Sequence, residues 1–598
     1  MIEVFKKLYF LLTPKDRKKS LLLMGQMCAS SLINIFGIAL IFPFMTLAVE
    51  PDLLFKQKSV MLLFLYKLLN YNNIHDFLVF VGSMVFIFLI IGNVMLALTL
   101  WVSTRFALFR NYTLSKKLLE CYLSQPYSFF LESNSSTLIK NVLVEVNDLV
   151  QYVLLGLVRL FDQSIAVLAI LLMLLVINPI LSIVIFISFG GVYASIYLLV
   201  RRNIFVISKR LLQTRNAMFK VTNEGFGGIK DIKFLHRENR VVENFSKDAY
   251  EYARSASNAS IIGQVPRYAL EIVAFGGVIL TLLYSLLKNR PISTIIPMLS
   301  LYVFAGYRLM PGLQQIFTYF TQIKAHQEAL TVIYNDTKRL PFIACSNKET
   351  GSLLFSKELL LDNVTFSYHK SSKPAINKLK LRIKSNSTVG FVGLTGAGKT
   401  TLIDIILGLL EPTSGSMIVD GQIINGKLIQ VWQNNISYVP QHIYLCDDSI
   451  LNNIAFGLGS SEINMENVRK AAAMASIDGF VEKELPNGYQ TLVGERGVRL
   501  SGGQIQRIGI ARALYRDTSL LVLDEATSSL DGITEEVVLD AIRKVKNKKT
   551  VIMVAHRFST IKACDEIFYI KNGAIFDVGT FDELFDRSIE FRKMALRK

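Results

Sequence analysis

The sequence predicts two unlike domains. An all-α membrane domain of six transmembrane helices covers residues 1–325, and an α/β P-loop nucleotide-binding domain covers 351–598, with a linker at 326–350. Three observations carry that prediction. Of the 598 residues, 51 % are hydrophobic and only 19 % charged, where a soluble globular chain has roughly 25 % charged residues. Long apolar runs end near residue 325, and strand and helix patterns alternate after 350. In that second part a glycine loop joins an apolar strand to a helix. This composition excludes a disordered chain, a collagen-like repeat and a disulfide-stapled secreted scaffold.

A transmembrane helix needs about 20 apolar residues. Runs of that kind lie at roughly 20–49, 76–106, 153–178, 179–202, 264–287 and 292–320. Several exceed a bilayer's thickness, which implies tilt or continuation into water. The connections at 107–152 and 203–262 read as helical continuations of the spans. Residues 52–73 are apolar on one side and basic on the other, as an external amphipathic helix in the interface would be.

The net charge is +18, from 65 Lys+Arg against 47 Asp+Glu. A basic balance invites a nucleic-acid partner, so its placement decides the matter. The N-terminus carries Lys6, Lys7, Lys15, Arg17, Lys18 and Lys19, and the 203–262 connection is equally basic. The turn between the third and fourth spans has neither Lys nor Arg. The positive-inside rule then sets the N-terminus, both long connections and the C-terminal domain in the cytoplasm, with the chain in the cytoplasmic membrane. No nucleic-acid partner is expected. The five cysteines, Cys28, Cys121, Cys345, Cys446 and Cys564, are scattered without a CxxC pair and read as reduced thiols.

The most specific motif is Gly393-Leu394-Thr395-Gly396-Ala397-Gly398-Lys399-Thr400, after the apolar strand 389–392 and before the helical run from Thr401. Glycines let backbone N–H groups wrap phosphates, and the helix N-terminus favours an anion. Lys399 is placed to reach the β and γ phosphates, and the Thr400 hydroxyl to hold Mg²⁺. A second strand, 520–523, ends in Asp524 and Glu525. Asp524 suits the metal, and Glu525 suits polarisation of an attacking water. A solvated acidic pair after a buried strand is the plainer reading, and the glycine loop outweighs it.

With these residues in view, the chain resembles the ATP-binding cassette (ABC) ATPases. Leu500-Ser501-Gly502-Gly503-Gln504 is similar to their signature motif. Tyr368 resembles the aromatic that stacks on adenine, Gln441 the Q-loop glutamine, Ser528 to Asp531 the D-loop and His556 the switch histidine. Val493 to Gly497 resembles the X-loop of exporters. One departure is Ser385-Asn386-Ser387, where a glycine turn is usual, and Asn tolerates a left-handed turn. The resemblance implies ATP and Mg²⁺ held between two cassettes. Tyr368, Gly393, Thr395, Gly396, Ala397, Gly398, Lys399, Thr400, Thr401, Gln441 and Asp531 would contact nucleotide on one side. Ser501, Gly502, Gly503 and Gln504 would close it on the other. The metal set would be Thr400, Gln441 and Asp524, and the catalytic set Glu525, His556 and Lys399.

Six spans before one cassette resemble an exporter-fold (type IV) half-transporter that works as a homodimer. The tips of its long connections would fall near 124–134 and 224–233, where proline and glycine break the helices. Within that fold the closest resemblance is to lipid-linked oligosaccharide flippases such as PglK. It rests on IFGIALIFPFMTLA at 35–48, SQPYSFF at 124–130, GGIKDIKFLH at 227–236 and PRYALE at 266–271. The cargo implied is a polyprenyl-pyrophosphate-linked oligosaccharide, with a lipid, peptide or hydrophobic drug as the alternative. Charges within spans are costly and mark function or pairing. Arg308, Arg267 and Arg159 are therefore candidates for holding phosphate. Glu271 lies four residues from Arg267, and Asp162 three from Arg159, so either pair can instead neutralise itself.

Overall fold

The computed structural model describes residues 1–41, 74–177, 179–287, 296–340, 355–369, 373–524, 548–554 and 558–596, with a few single positions besides. Two compact units emerge: residues 1–125 with 132–344, and residues 126–131 with 345–598.

The described elements of the first unit are all helices. A short helix α1, Ile2–Leu11, precedes α2, Pro14–Ala39. Thr13 and Asp16 cap α2 reciprocally and Pro14 opens it, which satisfies N–H groups that a helix start leaves free. Four long helices follow: α3, Ile74–Leu123; α4, Leu155–Ile177; α5, Pro179–Gly227; and α6, Glu238–Leu287. Helix α7, Ile296–Ala325, completes the set, and each of the six apolar runs overlaps one of these helices over its described residues. At 1.5 Å per residue the 50 residues of α6 reach about 75 Å, more than twice a hydrocarbon core. Among the described residues, Pro14–Ala39, His75–Leu123 and Ser135–Val176 are long and apolar enough to cross a membrane. The amphipathic segment expected at 52–73 lies outside the described residues. A helix α8, Gln327–Arg339, occupies the first half of the stretch assigned to a linker.

Aliphatic side chains pack α4 against α7: Val167, Ile170 and Leu174 cluster with Leu309. Gly312 permits that approach, since a Cβ there would stand 2.8 Å from a Val167 methyl. Beyond the apolar stretch the contacts become polar. The helix leading into α4 widens into π-turns at Asn141–Glu145 and Leu149–Leu154, where Glu145 is buried. Lys140 pairs with Glu145 at 3.2 Å, Arg215 with Asp148, and Arg110 with Asp16. His326 stacks on Tyr152 with ring centroids 3.9 Å apart, and Tyr122 donates to Asp336 at 2.5 Å.

The second unit is α/β. An antiparallel sheet runs β2-β1-β4-β5, from β1 (Glu358–Phe366), β2 (Ile376–Lys384), β4 (Ser414–Val419) and β5 (Gln422–Ile423). A larger sheet runs β10-β9-β3-β8-β7-β6. Its inner strands β3 (Thr388–Val392), β7 (Leu520–Asp524) and β8 (Thr550–Val554) are parallel and buried at every position. Continuous Val/Ile/Leu runs are what a sheet covered on both faces requires. Strands β6 (Ile436–Val439), β9 (Glu566–Lys571) and β10 (Ala574–Gly579) flank them. Asn386, before β3, adopts φ +57°, so asparagine serves the left-handed turn as expected.

Candidate functional site: a glycine loop and a membrane cavity

The glycine loop leaves the C-terminal end of β3 and enters α9, Lys399–Ile406. Two glycines supply backbone that other residues resist: Gly396 has φ +81° and Gly398 φ +102°. A Cβ on Gly393 would stand 2.3 Å from the Ile570 carbonyl oxygen, and one on Gly398 2.6 Å from that of Ala375. The loop is thus pressed against the sheet from below. Lys399 is buried, and its Nζ donates to the carbonyls of Gly393 at 2.8 Å and Leu394 at 3.2 Å. Thr395 and Thr400 are exposed, Ala397 and Thr401 buried, and Tyr368 Oη shares a 2.9 Å hydrogen bond with Thr401 Oγ1. A glycine backbone, the Lys399 ammonium and the N-terminus of α9 together suit an anion.

Asp524 ends β7, one strand removed from β3 in the same sheet, so both groups sit at the carboxyl ends of parallel strands. This is where open α/β sheets bind ligands. Asp524 is buried and accepts from Tyr438 Oη at 3.4 Å. Burial first, and the Asp524 carboxylate second, push Asp404 up to about 6. The Tyr438 phenol is also raised, by burial and then by Asp524. Sequence reading missed both, because one lies inside α9 and the other inside β6 with no motif to mark it. The exposed Gln441 follows β6 directly. The hydroxyl of Thr400, the amide of Gln441 and the carboxylate of Asp524 are hard oxygen donors of the kind Mg²⁺ takes.

Ser501 caps α10, Gly502–Tyr515, in a reciprocal pair with Gln504: Ser501 N donates to Gln504 Oε1 at 2.8 Å, and Gln504 N to Ser501 Oγ at 3.3 Å. A Cβ on Gly502 would meet no atom within 4 Å, so the start of α10 faces open space. Glu525, Asp531 and His556 lie outside the described residues.

A cavity of about 940 Å³ opens among the helices of the first unit. Its wall includes Asn34, Arg159, Asp162, Gln163, Arg267, Glu271, Gln314 and Tyr319. Arg267 and Glu271 form a 2.8 Å ion pair along α6. Arg159 pairs with no carboxylate among the described residues, its Nε is buried without a partner, and its guanidinium lies 5.9 Å from the Tyr319 ring. Among the described residues Asp162 likewise has no ion pair, and it accepts a 3.4 Å bond from Gln163. Arg308 stands on α7, and its side chain lies outside the described ones. The carboxamides escaped sequence reading, since Asn and Gln in a span carry no charge to announce them.

A phosphate-type cradle on an α/β domain, following long membrane helices, defines an ATPase coupled to movement across a membrane. The family descriptions agree: residues 376–528 match the ABC transporter family and residues 55–305 the ABC transporter transmembrane region. The chain belongs to the ABC transporter family, with one exporter-type membrane region and one cassette, and couples ATP hydrolysis to transport. It is 29 % identical to an ATP-dependent lipid A-core flippase of Ralstonia nicotianae, over 79 % of this chain and 80 % of that one. It is 30 % identical to the heterocyst differentiation ATP-binding protein HepA of Nostoc sp., over 79 % of this chain and 77 % of that one. A solved bacterial Atm1-family ABC exporter with ATP bound has the same fold, at TM-score 0.69 and 20 % identity over 94 % of this chain and 97 % of that one.

Proposed function

We propose that this chain is the half of a homodimeric flippase of the cytoplasmic membrane, and that its cargo is a lipid-linked oligosaccharide carrying a pyrophosphate. The N-terminus and the cassette lie in the cytoplasm, in accord with the basic residues there. Each ATP sits between the Gly393–Thr400 loop of one copy and Ser501–Gly503 of the other, with Tyr368 against the base. Lys399 holds the phosphates, and Thr400, Gln441 and Asp524 surround Mg²⁺. Glu525 orients the attacking water, while His556 faces the γ-phosphate. The short helices Tyr127–Glu132 and Ile229–Phe234 pass cassette closure to the spans.

The observation that carries the cargo reading is the cavity with its unpaired Arg159. A guanidinium pairs bidentately with phosphate, and an uncompensated one is expensive in a membrane without an anion to meet. The carboxamides of Asn34, Gln163 and Gln314 suit sugar hydroxyls. Arg267 is less available, since Glu271 already neutralises it. A second reading, export of a glycolipid of the lipid A type, draws support from the name of the Ralstonia nicotianae relative.

Cargo-stimulated ATPase separates these readings. In detergent, polyprenyl-pyrophosphate N-acetylglucosamine is expected to stimulate hydrolysis at lower concentration than lipid A. Arg159→Gln is expected to raise the concentration needed by about tenfold or more. Stimulation by lipid A alone would support the second reading, and stimulation by a hydrophobic dye alone would overturn both.

A further inference from the structure

Two charged side chains of the cavity wall lack an ion pair among the described residues, and they belong together. Arg159 and Asp162 stand three residues apart on α4, so their side chains leave neighbouring positions on one helix face. Both line the same cavity. They nonetheless do not form an ion pair, unlike Arg267 and Glu271 on α6, which lock at 2.8 Å. The Arg159 Nε is buried without an acceptor, and its guanidinium is drawn toward the Tyr319 ring instead. Asp162 has no cation beside it among the described residues and only the long Gln163 contact.

An acid and a base held apart in a membrane cavity are both costly, and each asks for a partner from outside. A cargo with only anionic charge would satisfy Arg159 and meet repulsion from Asp162 in a medium of low dielectric. A purely cationic cargo would have the opposite difficulty. We infer that the cargo head group is zwitterionic, with a phosphate placed on Arg159 and an ammonium on Asp162 one helical turn away. This rests on the cavity being the cargo site, and it narrows the lipid-linked glycan to one with a free amine close to its phosphate, as in an unacetylated amino sugar.

The test uses a matched pair of probes in proteoliposomes holding the full-length protein: polyprenyl-pyrophosphate glucosamine and its N-acetylglucosamine counterpart. They share tail, pyrophosphate and sugar ring, and differ in the ammonium alone. The amine form is expected to be relocated, in the presence of ATP, at a concentration about tenfold lower or less. Asp162→Asn is expected to erase that difference and Asp162→Glu to retain it, whereas Arg159→Gln weakens both probes alike. Equal handling of the two probes by the unaltered protein would overturn the zwitterion and leave the flippase reading standing. Preference for the acetylated form would do the same. Relocation of neither probe would overturn both. Because the comparison between probes needs no variant, a misfolded Asp162→Asn protein cannot obscure it.

Discussion

Gly393 and Gly396 stand three residues apart in one loop and meet an added methyl group very differently. At Gly393 a Cβ would lie 2.3 Å from a backbone oxygen of β9, so the loop must lift from the sheet. At Gly396 the space is open, and the cost is the left-handed φ of +81° alone, about 1 kcal/mol. Gly393→Ala is therefore expected to lose binding of a fluorescent ATP analogue, and Gly396→Ala to retain most of it. Asp404 gives a second prediction at this scale. Its folded pKa of about 6 lies above the unfolded carboxylate value, so its stability contribution is full below about 4 and is lost as pH rises through 6. Replacing it by Asn is expected to raise the Tm at pH 7.5 and leave it unchanged at pH 4. An equal gain at both would show that burial and Asp524 do not hold the proton there.

The element that most depends on buried charge is the π-widened stretch before α4. Asp148, only 9 % exposed at its side chain, holds Arg215 of α5, which is 17 % exposed. Removing one partner of such a pair leaves the other buried and uncompensated, at a cost of about 3–5 kcal/mol. Asp148→Ala is expected to lower the thermal midpoint markedly in detergent, and Asp148→Ala with Arg215→Ala to recover part of the loss. Additive losses would mean that the two side chains act separately. The sequence does not announce this element. A π-turn has no residue signature, and Asp148 and Arg215 are 67 positions apart with nothing to mark them as partners. Long apolar helices and the strand–glycine loop–helix are another matter. Their periods and motifs are local, so α2 to α7 and the 393–400 loop could be read directly. The cavity arginines fall between these cases. Spacing of three and four offered the same neutralising partner to both, and only the packed helices distinguish the paired Arg267 from the unpaired Arg159.

For the whole molecule, one membrane region and one cassette per chain accord with the proposal that two copies work together. The protein in mild detergent is expected to have twice the 67.3 kDa of a single chain by light scattering, after correction for bound detergent. The basic excess of +18 accords with the proposed cytoplasmic face, while the charges proposed to meet cargo are Arg159 and Asp162 in the cavity wall. On the proposed reading, ATP hydrolysis moves a lipid-linked oligosaccharide between leaflets. The most direct measurement is the fraction of a polyprenyl-pyrophosphate oligosaccharide exposed on each face of proteoliposomes, before and after ATP, for the unaltered protein and Glu525→Gln. Relocation is expected to need ATP, to vanish in Glu525→Gln and to fall steeply in Arg159→Gln. Relocation of a hydrophobic dye with the oligosaccharide left in place would contradict that reading.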